Sequence, residues 1–286
     1  MSGYTLTWRG CAEGQGPGAK GRVLIDGLAL RPDTLGLMGR EELAATPLRI
    51  GRTQVALNEL FEIEGMPGEI LTLRNTPALD ALGALMQRGT LVIDGDVGDD
   101  LGASMSGGLI HVIGSAGHRV GGPHPTSRRG MTGGEILIDG DAGDHAGYLM
   151  RRGLIAIGGA TGRSPGYRMI AGTIVLGREP GDHPGLEMQR GSIVCLDESA
   201  KALDYRHLVE GNTIDATAMP AMLMVLRRLR ALGWPMPTKA AASGSESQAA
   251  GPLPRGERAG VAAGRWRLHS GDVFELNKGE VLQWVS

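Results

Sequence analysis

Aromatic side chains are scarce in this sequence, since Phe, Trp and Tyr together make up only 3% of its 286 residues. The two cysteines, Cys11 and Cys195, are too few for a disulfide framework and lack the spacing of metal ligands. A formal net charge of −2 gives no general attraction to nucleic acid or to an anionic membrane. No apolar run reaches the roughly 18 residues that span a bilayer, and the first residues lack a signal-peptide pattern. The sequence therefore predicts a cytoplasmic protein that binds neither nucleic acid nor membrane.

Glycine, in contrast, is abundant, and its positions are periodic. Six methionines each stand three residues before a glycine, and the interval between successive glycines of this set is nineteen in every case but one. The methionines are Met86, Met105, Met131, Met150, Met169 and Met188, and the anchoring glycines that follow them are Gly89, Gly108, Gly134, Gly153, Gly172 and Gly191. A period this regular is typical of a stacked repeat.

A short strand is predicted directly after each anchoring glycine. The residues two and four places after the glycine are apolar, which is the period of a strand with one buried face. These pairs are Leu91/Ile93, Ile110/Val112, Ile136/Ile138, Ile155/Ile157, Ile174/Leu176 and Ile193/Cys195. With a second short strand expected in each repeat, the predicted fold is a right-handed β-helix of about six to seven 19-residue coils. The methionines are expected to form a buried ladder, and Cys195 to act as a small buried hydrophobe.

The flanks predict a small α+β N-terminal cap and a C-terminal helix. In the cap we expect a strand at 23–26, a helix at 32–44 and short strands at 48–51, 55–57 and 61–63. Near the C-terminus, apolar residues at helical spacing predict a helix at 217–232. The predicted division is 1–65 for the cap, 66–200 for the β-helix, 201–237 for the helical segment, 238–264 for a flexible linker and 265–286 for a strand-like tail that docks on this chain or on a partner.

The one long interval, between Gly108 and Gly134, exceeds the period by seven and places an insertion at 122–129, which ends in Arg128 and Arg129. Arg151 and Arg152 stand near the methionine of the next repeat. Because Arg pairs bidentately with carboxylates, these four residues are predicted to be a docking site for acidic side chains or for a polyanionic ligand tail. Ordinary solubilising charge is the alternative.

A second polar cluster falls in the turns ten and eleven residues after the anchoring glycines. Its members are Asp99, Asp100, His118, Asp144, His145, Asp182 and His183. His and Asp are suitable metal ligands, but a solvated polar edge is the favoured interpretation, and no bound metal is expected. The sequence contains no Walker loop, nucleophile elbow or HExxH motif, so no catalytic residues are expected in this chain.

The repeats resemble a known family. The run GDVGDDLGASMSGGLIHVIGSAGHRVGG, then MRRGLIAIGG and MIAGTIVLG, is similar to the C subunit of formylmethanofuran dehydrogenase and to that of its bacterial counterpart, the formyltransferase/hydrolase complex. A more distant resemblance is to the GXGXG β-helix domain of glutamate synthase. The similarity is strongest over residues 82–177.

The resemblance implies a non-catalytic structural subunit of a larger enzyme complex, with an amidohydrolase-like subunit and a formyltransferase subunit as partners. The bacterial complex moves a formyl group from a tetrahydromethanopterin-type carrier to a methanofuran-like carrier and hydrolyses it to formate. The chain itself is then expected to hold no cofactor, and glutamyl chains of such carriers would suit the arginine cluster. Two alternatives remain open, namely the C subunit of a tungsten or molybdenum formylmethanofuran dehydrogenase and a glutamate-synthase-like GXGXG protein.

Overall fold

The computed structural model describes residues 2–9, 27–50, 53–197, 208–215, 219–235, 265–272 and 279–285, and most of the regular structure in them is β. The strands are β1 (Gly3–Trp8), β2 (Pro47–Ile50), β3 (Thr53–Ala56), β4 (Phe61–Gly65), β5 (Ile70–Arg74), β6 (Thr90–Asp94), β7 (Leu109–Ile113), β8 (Glu135–Ile138), β9 (Leu154–Ile157), β10 (Thr173–Leu176), β11 (Ser192–Cys195), β12 (Leu208–Asp215), β13 (Arg265–Asp272) and β14 (Glu280–Val285). The helices are α1 (Pro32–Leu35), α2 (Arg40–Ala44), α3 (Leu57–Leu60) and α4 (Pro220–Ala231), with a 3-10 turn at Gly27–Ala29.

Each repeat contributes one strand to a twelve-stranded sheet of order β12-β13-β14-β11-β10-β9-β8-β7-β6-β5-β1-β4. Strands β5 to β11 are parallel and pair equivalent residues, so that Leu91 lies opposite Ile110 and Ile110 opposite Ile136. The inserted residues before β8 therefore leave the register unchanged. Antiparallel pairing occurs where β4, β12 and β13 join the sheet, while β2 and β3 form a separate pair.

The predicted fold class, a right-handed β-helix with an N-terminal cap, is wrong. The strands form one large, mostly parallel, mixed sheet, and the second strand that each coil required is reduced to single bridges that link Val97, Ala116, Ala142 and Thr161. The physical reason lies in the backbone after these bridges. Left-handed residues recur eleven and fifteen places after the anchoring glycines, and such conformations end an extended segment. Examples are Asp100, Ser104, His145, Leu149, Ser164, Arg168, His183 and Glu187.

The phased methionines and glycines form one contact that is repeated along the sheet. A Cβ added at Gly108 would lie 2.5 Å from Cε of Met86, and one at Gly172 would lie 2.7 Å from Cε of Met150. The same relation joins Met105 to Gly134, Met131 to Gly153 and Met169 to Gly191. Each thioether therefore occupies the space of a side chain at the next anchoring glycine, where φ is also positive. All six methionines are at most 2% exposed, so the predicted core ladder is confirmed.

The predicted apolar pairs of the strands point into the core, and every member is 0% exposed. Leu71 and Leu73 of β5 are buried in the same way, which makes β5 the first, less regular member of the series. Cys195 is buried as predicted, and its Sγ donates to the carbonyl oxygen of Arg178 at 3.5 Å. Burial raises the pKa of the Cys195 thiol to about 12, so this group stays protonated at neutral pH.

The N-terminal flank differs in detail from its prediction. The helix expected at 32–44 is broken into α1 and α2. The break lies at Gly36, which packs against the main chain of Gly68. The Gly68 N–H donates to the Gly36 carbonyl oxygen at 2.7 Å and holds the two glycines together. Strand β1 was not predicted, and it pairs with both β4 and β5. The strand expected at 23–26 lies outside the described residues. The domain boundary at residue 66 stays a prediction.

The C-terminal flank packs on the outer face of the sheet. Helix α4 confirms the predicted helix, and its buried residues join Trp234 and Trp266 in a second apolar core over β8 to β11 and β14. Trp234 Nε1 also donates to the carbonyl oxygen of Ile138 at 3.2 Å.

The tail docks on its own chain, because β14 pairs in parallel with β11 and the Glu280 N–H donates to the Gly191 carbonyl oxygen at 2.9 Å. A Cβ added at Gly279 would lie nearest to Cε of Met188. Gly279 therefore makes the same contact with the preceding methionine as the anchoring glycines of the repeats. The predicted linker at 238–264 lies outside the described residues.

Candidate docking site

The insertion at 122–129 is tied to the preceding repeat at its arginine end. Ser104 Oγ donates to the Arg129 carbonyl oxygen at 2.6 Å, and Ser127 Oγ donates to the same oxygen at 3.1 Å. The backbone N–H of His124 donates to Ser104 Oγ at 2.9 Å. Both ends of the loop are therefore held by one serine, which fixes the backbone from which the exposed side chains of Arg128 and Arg129 project.

Arg151 and Arg152 lie in the next repeat, close to the end of the insertion. The Gly130 N–H donates to the Leu149 carbonyl oxygen at 3.1 Å, and the Arg151 N–H donates to the Met131 carbonyl oxygen at 2.8 Å. The two arginine pairs thus stand in adjacent repeats around the same methionine column. Their placement there agrees with the sequence-based expectation, while their role as a docking site stays a prediction.

The four arginines of this cluster differ from the paired arginines elsewhere on the chain. Within the described residues, no hydrogen bond or ion pair engages the guanidinium groups of Arg128, Arg129, Arg151 and Arg152. Arg119, by contrast, makes a bidentate pair with Asp100 at 2.8 and 2.7 Å, and this hydrogen bonding raises its pKa. The cluster therefore presents positive charge that the described part of the chain does not neutralise.

Three residues of the turn cluster, Asp99, His118 and Asp144, form a ladder of hydrogen bonds that begins at Asp80. Asp80 Oδ1 accepts the Asp99 N–H at 2.7 Å, and Asp99 Oδ1 accepts the His118 N–H at 2.9 Å. His118 Nδ1 then accepts the Asp144 N–H at 2.9 Å. When His118 Nδ1 accepts this hydrogen bond, the ring proton lies on Nε2, and the Asp144 carboxylate lies 3.8 Å from Nδ1.

The ladder continues into the following repeat, where Asp144 Oδ1 accepts the Arg163 N–H at 2.7 Å. Among the residues that the structure describes, no three His, Cys, Asp or Glu side chains are arranged to hold a metal ion. The side chains of Asp80, Asp99, His118 and Asp144 satisfy backbone donors at an edge where the strands have ended. A parallel ladder runs through Asp96, Ser115 and Asp141, each of which accepts the N–H of its counterpart in the next repeat.

The structure also brings together a group of aromatic and charged side chains that the sequence analysis did not predict. We call this group the tyrosine ledge, and its members are Tyr148, Tyr167, Arg168 and Glu187. The rings of Tyr148 and Tyr167 stack with centroids 5.4 Å apart and planes at 11°. The period of the repeat could have revealed this ledge from the sequence. Tyr148 and Tyr167 are one full repeat apart, and so are Arg168 and Glu187. Equivalent positions of adjacent repeats lie about 4.8 Å apart across a sheet, which suits stacked rings.

Glu187 holds the tyrosine ledge in place. Its Oε2 accepts from Arg168 Nε at 2.6 Å, and its Oε1 accepts from the Tyr167 hydroxyl at 3.3 Å. The Arg168 guanidinium also lies 5.3 Å from the centroid of the Tyr167 ring. Burial and the Glu187 carboxylate raise the pKa of Tyr167, which keeps its hydroxyl protonated as a donor. The positive charge of Arg168 is thus neutralised within the ledge.

An open groove of about 940 Å³ follows the anchoring glycines beside α4. Gly108, Gly134 and Gly153 form its floor, and Met224 and Arg228 belong to its helical wall. Arg228 is fixed there by a bidentate pair with Glu135, at 2.8 and 2.7 Å. Arg152 directly precedes Gly153 in the sequence, so the second arginine pair is adjacent to a residue that lines this groove.

Among the described residues, no helix has both the length and the apolar character needed to span a membrane.

The chain is similar over nearly its whole length to a chain in a solved structure. It matches a chain in the X-ray crystal structure of the formyltransferase/hydrolase complex (FhcABCD) from Methylorubrum extorquens in complex with methylofuran. The identity is 27%, the TM-score is 0.70, and 98% of each chain is covered. No protein-family profile and no curated protein sequence matches the chain.

Proposed function

We propose that this chain is the C subunit of a formyltransferase/hydrolase complex. The observation that carries the proposal is the full-length similarity to a chain of that complex, with 27% identity and a TM-score of 0.70. A match that covers 98% of both chains includes the flanks and the tail, and not only the repeats. The proposed partners are an amidohydrolase-like subunit and a formyltransferase subunit.

In the proposed reaction, the complex moves a formyl group from the nitrogen of a tetrahydromethanopterin-type carrier to the amine of a methanofuran-like carrier. Water then cleaves the new amide bond, which yields formate and the free amine. The role proposed for this chain is structural and non-catalytic. It is supported by the turn residues His118, Asp99 and Asp144, whose acceptor atoms serve backbone donors of the fold.

The test is co-expression of this chain with the two proposed partner subunits, followed by affinity purification and native mass spectrometry. We expect a single assembly that contains all of them and that hydrolyses the formylated carrier. The chain alone is expected to show no turnover. A chain that remains separate from both subunits, or that is active by itself, contradicts the proposal.

The arginine cluster is proposed to be a contact of this chain with a partner subunit or with the anionic tail of a carrier. We expect the double substitution Arg128→Glu and Arg152→Glu to weaken assembly or carrier binding at least about tenfold, because like charges replace complementary ones. The thermal unfolding of the isolated chain should not change, since these side chains are exposed.

The matched control is Arg163→Glu with Arg178→Glu, which changes the net charge equally at two other exposed arginines of the repeats. Affinity is measured by titration of the labelled chain with the partner subunits at low and physiological salt. If both double variants lose affinity equally, the loss is due to the change in net charge and not to the position of the arginines. The arginine cluster would then be removed from the proposal.

A further inference from the structure

The tyrosine ledge lies beside the arginine end of the insertion. The Gly130 N–H donates to the Leu149 carbonyl oxygen at 3.1 Å, so the main chain at Arg129 and Gly130 passes next to that at Tyr148 and Leu149. Arg129 belongs to the insertion. The position of Tyr148 in the preceding repeat is held by Gly122, whose carbonyl oxygen accepts the Ser104 N–H at 2.8 Å.

The two sides of the ledge differ in charge and in contacts. Tyr167 carries Arg168 near its ring and Glu187 on its hydroxyl, so this side is neutral and internally bonded. On the side of the insertion, the Tyr148 ring makes ring contacts with Tyr167 and His145 only, among the described residues. The guanidinium of Arg129, whose main chain adjoins that of Tyr148, makes no hydrogen bond or ion pair within the same part of the chain. The partly exposed Tyr148 therefore has uncompensated positive charge in the neighbouring segment.

The ledge is rigid before any ligand binds. The Tyr167 ring is held by stacking on Tyr148, by the 3.3 Å hydrogen bond to Glu187 and by the His145 ring, whose centroid lies 5.5 Å away. A preformed aromatic surface loses little conformational entropy on binding. Tyr and Arg are the residues that most often dominate the energy of protein–protein contacts.

Aromatic residues are rare in this chain, which makes their position on the surface informative. Of its four tyrosines, Tyr4 is 1% exposed, whereas Tyr148 and Tyr167 are both only partly buried and lie side by side. Contact with the exposed part of the Tyr148 ring selects an aromatic side chain, and the neighbouring arginines select carboxylates beside it.

We propose that the tyrosine ledge and the insertion together bind a peptide segment of a partner protein in which an aromatic side chain is flanked by acidic residues. The aromatic ring stacks on Tyr148, and the carboxylates pair with Arg129 and Arg128. The inference deepens the proposed function and rests on it for the existence of a partner subunit. It adds the chemistry of the segment that this subunit presents.

The experiment uses two fluorescein-labelled peptides, EEFEE and EEAEE, and measures their binding to the full chain by fluorescence polarisation. We expect EEFEE to bind about fivefold more tightly than EEAEE, as a stacked aromatic pair predicts. Tyr148→Leu should abolish this difference by weakening the binding of EEFEE alone. Arg129→Gln should weaken both peptides alike and reduce the dependence of binding on salt.

Arg163→Gln is the matched control for charge, and circular dichroism verifies that each variant is folded. Equal binding of the two peptides to the unchanged chain, equal effects of Tyr148→Leu on both, or no binding of either peptide at millimolar concentration overturns the inference. A dimer of this chain that depends on Tyr148 in native mass spectrometry also overturns it, because the occupant is then a second copy. Assembly with the partner subunits is measured separately, so the proposed function survives any of these results.

Discussion

Replacing Gly153 by valine is expected to destabilise the protein by on the order of 4 kcal/mol, the sum of an overpacking cost and a backbone cost. A Cβ at this position would lie 2.6 Å from Cε of Met131 and 2.7 Å from the carbonyl oxygen of Gly134. The oxygen belongs to the main chain and accepts the Leu154 N–H at 3.1 Å, so it has little freedom to move. Overpacking typically costs about 1–3 kcal/mol, and a non-glycine residue at φ 116° costs a similar amount again.

The measurement is urea unfolding followed by circular dichroism, with Gly39→Val as the control. Gly39 has φ −65°, and a Cβ there would meet no atom within 4 Å, so its substitution should cost less than about 1 kcal/mol. The methionine contact has its own test. Met131→Ala should relieve part of the cost of a side chain at position 153, so the two substitutions should be less than additive. Similar stability of the Gly153 and Gly39 variants would disprove the role of the anchoring glycines.

Truncation of Trp266 to alanine is expected to cost about 3–5 kcal/mol, the usual range for a fully buried Trp. Trp266 is 0% exposed and lies in the second core, together with Leu229 of α4, Val194 of β11 and Leu282 of β14. Because β13 joins the sheet only through β14 and β12, loss of this anchor should loosen the whole tail. We therefore expect faster hydrogen exchange in β14 and little change in β7.

Arg265→Ala is the matched control in the same strand. Its ion pair with Asp215 spans 3.5 Å between side chains that are 62% and 74% exposed, and such surface pairs contribute about 0–1 kcal/mol. Urea unfolding measures the loss of global stability. Hydrogen exchange measured by mass spectrometry shows whether β14 is loosened more than β7. If Trp266→Ala costs no more than the control, or if exchange increases equally in β7 and β14, the tail does not dock by this core.

The insertion shows how far the period alone can be used. The sequence predicts a loop at 122–129 because the interruption of a regular period marks a loop without reference to structure, and these residues lie outside the strands. The role of its arginines in docking stays a prediction. The tyrosine ledge follows the same period, because its two tyrosines are one repeat apart and so are Arg168 and Glu187. This spacing becomes informative only when it is known that equivalent positions of adjacent repeats are in contact. Arg119 and Asp100 make the same point, since they are also one period apart and form a bidentate pair.

The sequence by itself determined the repeat, its strands, the buried methionines and the helix near the C-terminus, because these depend on spacing and on local preference. Only the tertiary structure decided that each repeat contributes a single strand to an open mixed sheet, since left-handed residues such as His145 and Ser164 interrupt the second extended segment. It also decided where the tail docks. Gly279 and β14 follow an intervening stretch with no periodicity, so their place beside β11 depends on contact with Met188 and on pairing across the sheet, which no local pattern encodes.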